Sequence, residues 1–244
     1  MFESMAYANK PAIPAVRPIH IVYSNNLWKN TDQSQPPSST LLQTYTSSLL
    51  DSGYLGPVVI DIEQWPVHTD STKRQWLLDI MAAFKSANPL WEIGNYAIAP
   101  VRNHTASLMP TEHASYLAWE QTNQAANEIA KQSDILFPSL YTMTTDMDRW
   151  STYAVQNVIQ AKKYWPQKPI IPFLWPQYHN GVPSIGLQYI DPYFWKHQLM
   201  IVYQLCDGCI LWKNWTNPLQ EWDYAFPWFQ PTWEFIFQYA DHQG

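Results

Sequence analysis

Short runs of aliphatic residues recur along this chain, and almost every one is followed by a helical pattern. The apolar runs lie at residues 18–25, 56–64, 91–100, 134–142, 168–177 and 207–215. The helical patterns lie at residues 39–53, 71–87, 111–133, 147–165, 191–206 and 231–241. Strands that alternate with helices in this way predict a parallel sheet covered by helices. We therefore expect one α/β domain over residues 1–244.

Two architectures accommodate about six such units: an open, doubly wound sheet and a (β/α) barrel. None of the strands leads into the glycine-rich turn of a dinucleotide-binding or P-loop fold. Instead, polar and aromatic residues follow several strands, and convergence of strand ends on one rim is how a barrel builds its active site. The sequence thus favours an irregular or incomplete TIM-like (β/α) barrel with about six or seven parallel strands.

Composition narrows the possible partners. A net charge of −6 and the lack of any Lys/Arg run argue against binding to nucleic acid or an anionic membrane. No run approaches the ~18 consecutive apolar residues of a membrane span, and the opening MFESMAYANK lacks the apolar centre of a signal peptide. Cys206 and Cys209 have no further ligands with which to form a zinc site, so we expect structural thiols, with a local disulfide as the alternative, and neither a metal nor a cofactor. The oligomeric state is not predicted.

The segment VVIDIEQWP, residues 58–66, sets two carboxylates among aliphatic residues. On a strand, Asp61 and Glu63 point to the same face, with their backbones about 6.6–7 Å apart. Charge buried without a partner beneath helices is very unfavourable, so we expect both acids in the barrel mouth. Adjacent acids perturb each other, so that one stays ionised while the other keeps its proton to higher pH, as in a glycosidase. A structural pair with Arg17, Arg102 or a metal is the alternative.

Aromatic residues are the second unusual feature, with 14 Trp, 15 Tyr and 9 Phe. Most of them must fill the core. The segments LWPQYHNG and LWKNWTN, however, put aromatic side chains into polar loops directly after strands, as a sugar-stacking surface does. The predicted sugar-binding residues from these loops and from the acid segment are Trp65, Trp175, Tyr178, Trp212 and Trp215.

Five segments in order, VVIDIEQWP, GNYAIAP, LFPSLYT, KPIIPFLWPQY and GCILWKNWTN, resemble the hyaluronidase family of glycoside hydrolases. That family carries Ile-Asp-x-Glu-x-Trp, a Gly-x-Tyr strand, a Pro-Ser-x-Tyr strand, a Pro-rich strand ending in Tyr, and Gly-x-x-Leu-Trp-x-x-Trp-x-Asn. The resemblance covers roughly residues 40–217. It implies a distorted (β/α) barrel, in a secreted protein, that cleaves β-linked N-acetylhexosaminide polysaccharides with retention.

The resemblance also implies roles for individual residues. Glu63 would be the general acid/base, and Asp61 would orient and stabilise the substrate's acetamido group, which acts as the nucleophile. Tyr141 would hydrogen-bond near that group, and Trp212 would form a wall of its pocket. The remaining cleft residues implied by the resemblance are Tyr96 and Tyr178.

The sequence departs from the family pattern at several positions. Ile62 stands where the family usually has Trp. Trp65 meets Pro66 directly, where an Arg usually intervenes, and Trp175 occupies the position of another common Arg. Because carboxylate recognition relies on arginine forks, these departures favour a glycan less acidic than hyaluronan. The closest alternatives are a chitinase-like or muramidase-like glycosidase and a non-catalytic carbohydrate-binding barrel.

Overall fold

The structure, a computed structural model, describes residues 1–29 and 32–239. The strands are β1 (Phe2–Ser4), β2 (Arg17–Pro18), β3 (His20–Tyr23), β4 (Val58–Asp61), β5 (Ile93–Asn95), β6 (Phe173–Leu174) and β7 (Ile210–Trp212). The α-helices are α1 (Ser24–Trp28), α2 (Ser39–Asp51), α3 (Ser71–Ala87), α4 (Ala114–Ala125), α5 (Asn127–Gln132), α6 (Met147–Tyr164), α7 (Pro192–Leu205) and α8 (Phe229–Tyr239). The last two residues of the predicted helix 231–241 lie outside the described residues.

Side-chain caps determine where the main helices begin. Asp70 accepts hydrogen bonds from the first-turn amides of α3, and Asp146 does the same for α6. Asp191 caps α7, whose first residue is Pro192. Such caps satisfy amides that have no partner within the helix. The predicted helix 71–87 therefore matches α3 over its whole length.

The strands that the structure describes pair in parallel, which confirms the predicted α/β class. One sheet has the order β2-β1-β7-β6, and the other has the order β3-β4-β5. Isolated parallel bridges connect the two sheets through residues 136–142, where Phe137 pairs with Tyr96 and Ser139 pairs with Phe173. On the other side β2 runs into β3 through Ile19, whose amide donates to the Glu3 carbonyl at 3.0 Å.

Two predicted features of the strands differ from the structure. The run 134–142 forms bridges rather than a regular strand. The segment at Phe2–Ser4, for which the sequence predicts no strand, forms β1 between β2 and β7. A three-residue strand carries too little periodicity to be seen in sequence, because its pairing depends on residues about 200 positions away.

The side chains of β4 alternate between two apolar clusters. Val58 and Ile60 pack into the cluster that includes Phe84 of α3, beneath the helices. Val59 packs into an inner cluster to which several strands contribute. The members of this inner cluster include Phe2, Ile21, Phe137, Phe173 and Ile210. Since strand side chains alternate, Asp61 follows Val59 towards the inner side.

The cysteine pair consists of two free thiols, and Cys209 is buried. Burial raises the pKa of both thiols to about 12, and proximity to Cys209 adds to the effect on Cys206. Thiols with such a high pKa are inert near neutral pH. In the described part of the chain, the helices are all too short or too polar to cross a membrane.

Candidate active site

A pocket of about 160 Å³ opens where the parallel strands end. Six of the residues singled out in the sequence line it together, although they come from several separate segments of the chain. They are Asp61, Glu63, Tyr96, Tyr141, Trp175 and Trp212. The volume is below the roughly 300–1,000 Å³ of most small-molecule sites, so a ligand of ordinary size would extend beyond the pocket.

The two acids enter the pocket from the end of β4. Asp61 is the last residue of the strand, and Glu63 lies in the turn that follows, with 51% of its side chain exposed. Burial, reinforced by the nearby charge of Glu63, raises the pKa of Asp61 to about 7, while Arg102 acts in the opposite direction. Asp61 therefore keeps its proton at pH values where an exposed aspartate has lost it.

Arg102 contacts the second acid. Its Nη2 donates to Oε2 of Glu63 at 3.0 Å, and its Nη1 donates to the Tyr96 hydroxyl at 3.3 Å. Tyr96 also donates to Oγ of Ser139 at 3.0 Å. The ion pair with Arg102 that the sequence offers as a structural alternative is thus present for Glu63, and it lies inside the pocket with Asp61.

Three aromatic rings form one wall of the pocket. Tyr141 and Trp212 stack with their ring centroids 5.4 Å apart. Trp175 meets both rings edge-on, at 5.4 Å from Tyr141 and 4.8 Å from Trp212. The indole of Trp212 donates to the Tyr23 hydroxyl at 3.0 Å, which fixes its orientation.

The hydroxyl of Tyr141 remains a hydrogen-bond donor at any physiological pH. Burial, and then the neighbouring Tyr96, raise the pKa of Tyr141 well above 10. The side chain is 5% exposed, so it is held in place by packing on the aromatic wall. A protonated, fixed phenol suits recognition of a carbonyl or hydroxyl oxygen.

Trp65 lies away from the pocket lining. It is buried between Trp28 and Trp76, with centroid separations of 5.2 and 5.6 Å, and its indole donates to the Gln33 carbonyl. The cause is the turn that begins after Ile62, because the alternation of strand side chains ends there.

Tyr178 and Trp215 are also outside the pocket lining. Tyr178 is three positions beyond Trp175, which puts it on the opposite side of the extended segment and into a third apolar cluster, which includes Leu174 and Trp195 of α7. Trp215 is 65% exposed and lies three residues beyond Trp212. A large exposed ring next to the lining residue Asn214 is available for contact with a longer ligand.

Several lining residues are not identified as pocket residues by the sequence. The sequence suggests Arg102 only as a structural ion-pair partner for the two acids, and it does not single out Phe173 or Asn214. Asn214 follows Trp212 and Lys213 in the segment LWKNW, so its proximity to a predicted site residue is the available signal. His179 and Asn180, from the loop LWPQYHNG, also line the pocket; for these two residues the sequence leaves contact with sugar open.

The parallel strands, the helices around them and the pocket at the strand ends define an α/β fold similar to that of TIM-barrel glycoside hydrolases. Bee venom hyaluronidase matches 91% of this chain and 84% of its own, with a TM-score of 0.61 and 16% identity. Its complex with a hyaluronic acid tetramer matches 92% and 84%, with a TM-score of 0.60 and 16% identity.

A hyperthermostable endo-1,4-β-D-mannanase from Thermotoga petrophila matches 93% of this chain and 75% of its own, with a TM-score of 0.56 and 13% identity. The sequence matches no protein-family model and no curated protein sequence. At these identities the similarity establishes the fold, and the function must be argued from the pocket.

Proposed function

We propose that this protein is a glycoside hydrolase that cleaves β-linked N-acetylhexosaminide polysaccharide with retention, using the substrate's own acetamido group as nucleophile. The observation that carries the proposal is the convergence of Asp61, Glu63, Tyr141 and Trp212 on one pocket at the strand ends. The fold, which is similar to those of a hyaluronidase and a mannanase, supports it. We also infer that seven strands form an irregular ring, in which β2 and β3 count as one continuous strand and residues 136–142, which link the two sheets, count as another.

In this mechanism Glu63 donates its proton to the glycosidic oxygen as the acetamido oxygen attacks the anomeric carbon. The bond between that carbon and the leaving oxygen breaks, and a cyclic cation forms within the sugar. Asp61, as the carboxylate, stabilises the cation, and the Tyr141 hydroxyl donates to the acetamido group. Glu63 then takes a proton from water, which attacks the same carbon and restores the original anomeric configuration.

The resting state of the acid pair differs from the state that reacts. Below pH 7 the raised pKa of Asp61 keeps a proton on that residue, while Glu63 is ion-paired with Arg102. Reaction requires this proton on Glu63 and a negative charge on Asp61. Transfer of the proton from Asp61 to Glu63 meets both requirements in one step, so that Asp61 is ionised when the cationic intermediate forms.

The charges in the pocket favour an uncharged sugar. Glu63 neutralises Arg102 at 3.0 Å, and Asp61 is neutral below pH 7. Burial, and then the nearby Arg102, lower the pKa of His104 and of His179, so both rings are neutral. Because no uncompensated cation remains among these groups to recognise a uronate, we infer that the substrate is a neutral N-acetylated glycan.

The proposal is tested with paired oligosaccharides, one fully N-acetylated and one from which the acetyl groups have been removed. Mass spectrometry should detect cleavage of the acetylated oligomer alone, and NMR should show the β-anomer as the first product. Equal cleavage of both, or a sugar trapped covalently on Glu63 or Asp61, would contradict the substrate-assisted route. Binding without release of reducing ends would identify a carbohydrate-binding barrel instead.

A screen of further oligosaccharides, with the same mass-spectrometric readout, distinguishes the closest enzymatic alternatives. Chitin oligomers, peptidoglycan fragments and hyaluronan oligomers differ in the charge that accompanies their N-acetylhexosamine units. Preference for chitin oligomers would assign a chitinase-like substrate to this pocket, and preference for peptidoglycan would assign a muramidase-like one.

A further inference from the structure

The loop that carries Arg102 is built to return to the acid pair. After β5 the chain turns at Ala97, which has a φ of +53°, and Ile98 then pairs with Val101 in an antiparallel bridge. Side chains of α4 hold Val101 on both sides. Its amide donates to Oδ1 of Asn123 at 2.8 Å, and its carbonyl accepts from the Trp119 indole at 2.7 Å. The residue that follows Val101 is therefore fixed at its backbone.

The guanidinium of Arg102 has fixed partners as well. Glu63 and Tyr96 each accept one hydrogen bond from it, and 33% of the side chain is exposed. With backbone and guanidinium both held, Arg102 is set against one carboxylate of the pair, and that carboxylate, Glu63, is the more exposed of the two.

We propose that Arg102 is a positioning residue that holds Glu63 in an ion pair before substrate binds, so that the acid pair carries its proton on Asp61. The proposal rests on the proposed glycosidase function for its catalytic meaning. Arg102 acts through Glu63 and does not itself react. Its charge fixes the protonation state from which each turnover begins.

The titration of the pair should respond to Arg102 in a defined direction. A positive charge within about 4–6 Å of a carboxylate typically lowers its pKa by about 1–3 units. A neutral residue at position 102 should therefore raise the pH at which Asp61 and Glu63 together lose the second of their two protons. The other titratable groups facing the pair are Tyr23, Tyr96, Tyr141 and His179, and those facing Arg102 include His104 and Tyr153. Burial keeps these tyrosines protonated and these histidines neutral near pH 7, which leaves Arg102 as the charged neighbour.

The experiment follows the side-chain carboxyl carbons of Asp61 and Glu63 by NMR, in protein labelled with ¹³C at those carbons. Arg102→Gln should raise the midpoint of the last proton loss by about one unit or more. Arg102→Lys keeps the positive charge, so its midpoint should stay close to that of wild type. The matched control is Arg149→Gln, which removes an exposed arginine from α6 that forms no side-chain ion pair in the described structure.

An unchanged midpoint in folded Arg102→Gln, or an equal shift in Arg149→Gln, would overturn the proposal. If Arg102→Gln fails to fold, Arg102→Met keeps the aliphatic stem and answers the same question. The basic limb of the activity profile should move with the carbon midpoint. If wild type cleaves no glycan while the carbon midpoints shift as expected, the proposed function fails and the role of Arg102 in setting the protonation of the pair stands.

Discussion

Replacing Asp61 by Asn should make the folded protein more stable than wild type at pH 8. Asp61 is largely buried, and none of the residues described by the structure forms a hydrogen bond to its carboxylate. Its ionisation is therefore unfavourable in the folded state, whereas in the unfolded chain it is surrounded by water. Asn has a similar shape and no charge, so the substitution removes this cost.

The size of the effect follows from the shift in pKa. The pKa of Asp61 rises from 3.8 to about 7 on folding, a shift of roughly three units. Each unit corresponds to about 1.4 kcal/mol, which gives an upper limit of about 4 kcal/mol. Partial solvent contact at the pocket mouth reduces this figure, and we expect a gain of about 2–4 kcal/mol in the free energy of unfolding.

The two pKa values of Asp61, in the unfolded and the folded chain, also set the pH range over which the stability difference develops. Between about pH 4 and pH 7 folded wild type holds a proton that the unfolded chain has released, so its free energy of unfolding falls as the pH rises through this range. The Asn variant lacks this titration. The difference between the two proteins should therefore be small at pH 4, grow up to about pH 7 and stay constant above it.

Urea unfolding at a series of pH values from about 4 to 8.5 measures this difference, provided that two probes give the same transition. Asp51→Asn is the control, because it makes the same chemical change at an exposed position at the end of α2. A difference that does not vary with pH, or an Asn variant that is less stable than wild type at pH 8, would refute the reasoning about Asp61.

Three further predictions address catalysis, specificity and packing. Glu63→Gln should lower kcat by about 10²–10⁴-fold with little effect on oligosaccharide binding, measured by kinetics and calorimetry; a variant of unchanged rate would remove Glu63 from the mechanism. Hyaluronan should be cleaved weakly compared with a neutral N-acetylated polymer, and efficient cleavage that salt inhibits would contradict the charge argument. Gly94→Ala should cost about 2–3 kcal/mol or more in thermal unfolding, because the added Cβ would overlap the Ile135 carbonyl oxygen. Gly208→Ala meets its nearest neighbour at 3.8 Å and should change stability by less than about 0.5 kcal/mol.

The parts of the fold that the sequence predicts well are those with strong local signals. Helix α3 begins where Asp70 can cap it and carries a continuous apolar face, so both of its ends can be identified. The acid segment is equally informative, since the alternation of side chains along β4 relates Asp61 to Val59 through residue spacing alone. In both cases the deciding interactions are close in sequence.

The parts that sequence could not supply depend on distant contacts or on turns. Arg102 reaches Glu63 only because the loop after Tyr96 folds back and is held by α4. Trp65 continues the alternation of the strand in sequence, yet the chain turns before it. A pattern of residue types shows where a strand runs and does not show where it stops.

The alternation of side chains along β4 also constrains how this protein can change through evolution. One register holds Val58 and Ile60 against the helices and turns Val59 and Asp61 inwards. A deletion or insertion of a single residue before Asp61 would exchange these faces, sending a carboxylate under the helices and an aliphatic residue into the pocket. Folding and acid chemistry are therefore inherited together in this segment, while Arg102, carried on a separate loop, can vary without moving either acid to the other face of β4.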